Sequence, residues 1–162
     1  MFLDLRNIWH KDFTETMFDM ASVRRLRALS LSFAEQVPLP NFSEALTRFS
    51  ALTMLRLEKL DLRKINQPVF FEFLQHLTFL SLEKVELNGP GQLKEVILQS
   101  TKLRILHLGN LNVGSLENLT DLLSERRNPV YEVILDNIPG HMTFADLRVS
   151  KLTLKKIKII AV

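Results

Sequence analysis

The chain has 162 residues, 46% of them hydrophobic and 24% charged, and 21 Lys and Arg against 18 Asp and Glu leave a net charge of +3. This is the balance of one ordinary globular domain with room for a sizeable core. It excludes a disulfide-bonded scaffold, because cysteine is absent, and a spanning helix, because no apolar run approaches the roughly 18–20 residues that a bilayer requires.

Taken in order, the sequence predicts seven strands separated by return segments, all within a single domain over residues 1–162. Strands are expected near 2–8, 26–34, 52–60, 77–85, 103–111, 130–138 and 152–160. The start, MFLDLRNIWHKDF, is interrupted by Asp4 and Trp9, so no secretory leader is expected there. Phe13, Met17 and Phe18 give the first return a helical apolar face, and Trp9 is expected to pack beneath it. After the second strand Pro38 and Pro40 impose an extended link. Ser43 is a candidate cap for a short helix that turns Leu46 and Phe49 inward. Pro68 opens a helix carrying Phe70, Phe71, Phe73 and Leu74. Gly89-Pro90-Gly91 is a turn and lacks the Lys-Ser/Thr of a phosphate loop; a helix with Leu93, Val96, Ile97 and Leu98 follows. Ser115 is a candidate cap for a helix with Leu116, Leu119, Leu122 and Leu123 on one side, stopped by Pro129. Pro139-Gly140 is a turn, and the last strand is expected to run on as KIKIIAV.

The strands are copies of one another. Residues 77–87, LTFLSLEKVEL, read L-x-x-L-x-L-x-x-V-x-L; residues 52–62, LTMLRLEKLDL, and 103–113, LRILHLGNLNV, repeat the pattern. Weaker copies are LRALSLSFA at 26–34 and VYEVILDNI at 130–138, with partial ones at 3–8 and 152–157. The fourth position falls at Leu3, Leu29, Leu55, Leu80, Leu106, Val133 and Leu152, at intervals of 26, 26, 25, 26, 27 and 19 residues. A period of this size marks a stacked array in which each copy adds one strand and one layer of core. Parallel pairing needs a crossover between strands, and the 14–16 residues between copies supply it.

This pattern resembles the leucine-rich repeat family over essentially the whole chain. The resemblance implies an α/β solenoid, a horseshoe or arc with short parallel strands on the concave face and helical or irregular returns on the convex face. Where the family usually places Asn or Cys, this chain has Ala34, Leu60, Val85, Leu111, Ile138 and Ile157, which is similar to some F-box-type leucine-rich repeat proteins. Secreted members commonly close their ends with disulfide-bonded caps; without cysteine, an intracellular location, cytoplasmic or nuclear, is expected. Asn41-Phe-Ser43 and Asn118-Leu-Thr120 match the glycosylation sequon and are read as chance matches. Terminal repeats need a polar outer layer, and none is evident before Phe2 or after Ile159, Ile160 and Val162. The chain is therefore expected to be a segment of a longer protein, or to have its terminal strand covered by a second protein or by missing repeats. After Asp146 there is no acid, while Arg148, Lys151, Lys155, Lys156 and Lys158 follow; these are read as guards of a sheet edge.

No catalytic constellation emerges. His10, His76, His107 and His141 lie in different repeats without metal-ligand spacing, so neither a metal nor a cofactor is expected. What remains is the face opposite the leucines. Aligned copies give three rows there: Phe2, Ala28, Met54, Phe79, Ile105, Glu132 and Lys151; Asp4, Ser30, Arg56, Ser81, His107, Ile134 and Thr153; Arg6, Ser32, Glu58, Glu83, Gly109, Asp136 and Lys155. Met54, Phe79 and Ile105 form an apolar centre rimmed by Arg56, Glu58, Ser81, Glu83 and His107, the composition of a protein interface. The expected function is a non-enzymatic interaction module or scaffold that binds a protein partner on this face, with no membrane role and no nucleic acid. The alternatives are the substrate-recognition part of an F-box-type ubiquitin ligase, implied by the resemblance, or a structural subunit of a larger assembly.

Overall fold

A computed structural model describes residues 1–9, 21–39, 42–111, 119, 122–123, 126, 128–137 and 151–155. The strands are β1 (Phe2–Ile8), β2 (Ala28–Pro38), β3 (Met54–Asp61), β4 (Phe79–Glu83), β5 (Ile105–Gly109), β6 (Glu132–Asp136) and β7 (Lys151–Lys155). They form one parallel sheet of seven strands in simple chain order. Helices α1 (Phe42–Leu46), α2 (Gln67–Leu74) and α3 (Pro90–Gln99) lie in the connections before β3, β4 and β5. The architecture is α/β. No helix among the described residues is long and apolar enough to cross a membrane.

Strand alternation builds the core. Leu55, Leu57, Leu80, Leu82, Leu106, Leu108, Val133 and Leu135 are fully buried on one face. The returns bring Leu46, Phe70, Leu74, Val96 and Ile97 against them, all with no exposed surface. Pro68 and Pro90 start their helices, where a missing N–H costs nothing. Gly89 at φ 80° makes the turn into α3.

Most strands begin two residues later than the repeat suggests. The first leucine of each copy is buried but closes a turn: the N–H groups of Leu26, Leu52, Leu77 and Leu103 donate to carbonyls three residues earlier, those of Val23, Phe49, Leu74 and Ser100. The following carbonyls then link the layers. Arg27 O receives Thr53 N and Met54 N at 2.9 and 3.1 Å, and Thr53 O, Thr78 O and Arg104 O each receive two N–H groups from the next copy.

A left-handed kink recurs near the strand ends, directly after β4, β5 and β6 and within the last residues of β1 and β3. Asn7, Lys59, Lys84, Asn110 and Asn137 all have φ between 49° and 59°. Strict alternation would turn Leu60, Val85 and Leu111 outward; one left-handed residue before each reverses the parity, and all three are buried. That is how the aliphatic residue at this position of the repeat reaches the core. In the second copy Ala34 does not have this role. β2 runs on to Pro38, the register shifts after Ser32, and buried Val37 stands opposite Leu60. Lys59 Nζ donates to the Ala34 carbonyl at 3.1 Å.

Two further expectations are corrected. Trp9 is 52% exposed, so it does not pack beneath a helix. Ser43 lies inside α1, and its hydroxyl donates to Glu44 Oε2 at 2.8 Å instead of capping. The last strand is described only as Lys151–Lys155. The helical face of Phe13, Met17 and Phe18, the Ser115 cap, the turn at Pro139-Gly140 and the run beyond Lys155 lie outside the described residues.

Candidate functional site

The strand register assembles the face opposite the leucines. Ala28, Met54, Phe79, Ile105 and Glu132 are consecutive partners along the first row. Ser30, Arg56, Ser81, His107 and Ile134 form the second, and Ser32, Glu58, Glu83, Gly109 and Asp136 the third. All eight residues singled out from the sequence therefore lie on three adjacent strands. Neighbouring strands stand about 4.8 Å apart, so Met54 to Ile105 spans about 10 Å.

Within this patch the residues divide by exposure. Met54 is 43% exposed; Phe79 and Ile105 are half-buried, and none of the three belongs to the buried core. To the β1 side Ala28 is buried, and Phe2, 63% exposed, extends the row beyond it. Ser81 is buried, with its hydroxyl 3.0 Å from His107 Nδ1. It steadies the imidazole and offers no surface of its own.

Glu58 and Glu83 are direct cross-strand partners, an arrangement that repels unless cations intervene. Two cations do. Arg56 Nη2 lies 3.1 Å from Glu83 Oε2 and 4.0 Å from Glu58 Oε2, and Lys84 Nζ lies 3.5 and 3.8 Å from Glu58 Oε1 and Glu83 Oε1. Ser32 adds a hydrogen bond to Glu58 Oε2 at 2.9 Å. On β1, Arg6 and Ser30 hydrogen-bond Asp4 and hold its carboxyl below the usual range, with Arg56 adding its field. Gly109 keeps the third row low between Glu83 and Asp136: a Cβ there would lie 3.2 Å from Glu83 Cγ.

Chemically, the face offers an apolar row beside a row of matched charges. Among the described residues no group of His, Asp or Glu is arranged to hold a metal ion. Sequence reasoning missed the polar groups that hold the layers behind the face in place. Gln92, buried in α3, receives Asn88 N–H at 2.6 Å and donates to Leu62 O at 3.0 Å. Arg126 donates to Ile97 O, to Ser100 O at 2.6 Å and to Asn128 O at 3.3 Å, closing the C-terminal end of α3. Burial pulls its guanidinium pKa down. A single Gln in an apolar helix face was the available signal for the first; nothing marked the second.

No protein-family model, no curated protein and no solved structure matches this chain.

Proposed function

We propose that the chain is a non-enzymatic leucine-rich repeat module whose parallel sheet curves into an arc and binds a protein partner on its concave face. The reading rests on one observation: Met54, Phe79 and Ile105 stand in register on a sheet face, outside the leucine core, beside charges that already satisfy one another. An apolar centre with a polar border is the anatomy of an interface core and rim. Apolar anchors near the middle of such a patch supply most of the affinity, and the closed ion pairs add orientation.

The test is affinity capture with the intact chain. A partner recovered with the wild type is lost with Met54→Asp plus Phe79→Asp, while circular dichroism and cooperative unfolding persist. A partner retained by the folded double variant would refute the reading.

A further inference from the structure

The two rims of the open face differ in charge. At the trailing rim, where strands end, acids and bases alternate and pair: Arg63 bridges Asp61 and Glu86 at 2.8 and 2.7 Å, and Lys84 lies between Glu58 and Glu83. At the leading rim, where strands begin, the segments 21–27, 47–53, 75–78 and 100–104 contain no Asp or Glu. They carry Arg24, Arg25, Arg27, Lys102 and Arg104, all exposed and, among the described residues, none joined to a carboxylate by an ion pair. Arg48 and His76 are exposed in the same segments. Arg27 and Arg104 immediately precede Ala28 and Ile105 of the apolar row. From β2 to β5 this basic rim extends about 14 Å.

We infer that the occupant of the open face is an acidic amphipathic protein segment, its large apolar side chains on Met54, Phe79 and Ile105 and its Asp and Glu side chains toward Arg24, Arg27, Lys102 and Arg104. This rests on the protein-binding reading and adds the partner's chemistry and direction. Charge complementarity carries it. Cations bordering one side of an apolar row, with no carboxylate partner among the described residues, attract a segment that is acidic on that side, and they steer its approach. The third row, with Glu58, Glu83 and Asp136, disfavours the reversed placement. It also disfavours a nucleic acid, whose phosphates would meet those carboxylates and whose backbone has no use for Met54 and Phe79.

A random peptide library displayed on phage and selected on the full chain tests this. The expected peptides combine Asp or Glu with Phe, Leu or Trp, and they lose affinity as salt rises. Replacing Arg24, Arg27 and Arg104 together with Glu weakens them by about tenfold or more. Neutral or basic peptides, no enrichment, or equal binding to the folded triple variant would overturn the inference. If Met54→Asp plus Phe79→Asp abolishes binding and the triple variant does not, the protein-binding face stands and the acidic partner falls. If the triple variant alone abolishes binding, the apolar row is not the site and both readings fall. A poly-uridylate probe that displaces the peptides and binds more tightly would make the rim a nucleic-acid surface and overturn the inference.

Discussion

The two faces of the same strands are one residue apart in sequence and opposite in consequence. Leu80 is fully buried and Phe79 beside it is half-buried on the open side; Leu55 is fully buried and its neighbour Met54 is 43% exposed. Period-2 alternation sends the leucines to a core shared by every layer, while the neighbouring side chains contribute little to holding the fold. If the proposed function holds, stability and recognition are thereby divided between adjacent residues, so the faces should respond differently to substitution.

The largest effect belongs to the leucine face. Leu80→Ala leaves a cavity between layers and should cost about 2–5 kcal/mol in denaturant unfolding. Phe79→Asp, one residue away, should cost about 1–2 kcal/mol by the same measurement, because Phe79 is only half-buried, and should weaken partner binding. An equal loss of stability from both would erase the distinction between the faces. The next effect is behind the core: Gln92→Leu leaves the Asn88 N–H without its acceptor and takes one of two donors from the Leu62 carbonyl, and should destabilise by about 1–3 kcal/mol. Arg126→Met removes the guanidinium donor from the Ile97 carbonyl and one of two donors from the Ser100 carbonyl, and should cost about 1–2 kcal/mol, read as a shift in the unfolding midpoint.

The smallest effect is electrostatic. Hydrogen bonds from Arg63 hold the Asp61 carboxyl below its ordinary range. Its contribution to stability is therefore present above the ordinary aspartate pKa and is lost as pH falls through the lower folded value. Asp61→Asn should lower stability slightly near neutrality and make little difference in strong acid, so the profile flattens as pH falls. A profile as steep as the wild type's would remove Asp61 from the account.

The repeat made the sheet order and the rows legible, because a period near 26 residues fixes which residues become neighbours and alternation fixes their face. Met54, Phe79 and Ile105 could be placed together on that ground alone. The kinks near the strand ends could not. They depend on left-handed residues, and while Asn7, Asn110 and Asn137 are types that tolerate positive φ, Lys59 and Lys84 give no such signal. Val37 replaces Ala34 because a register shift breaks the spacing on which the alignment relied. The leading rim was illegible for a different reason. Arg24, Arg27, Lys102 and Arg104 are scattered over 80 positions (104 less 24) and converge only when the layers stack.

The measurement that bears most directly on the separation of the faces is thermal unfolding and partner capture on one preparation of the Met54→Asp, Phe79→Asp variant. The predicted result is a cooperative transition that persists, with Tm lowered by up to about 10 °C because the two Asp stand opposite each other on β3 and β4, and with capture abolished. A cooperative transition that disappears would place the two residues in the core, and capture that survives in a folded variant would move the binding site off this face.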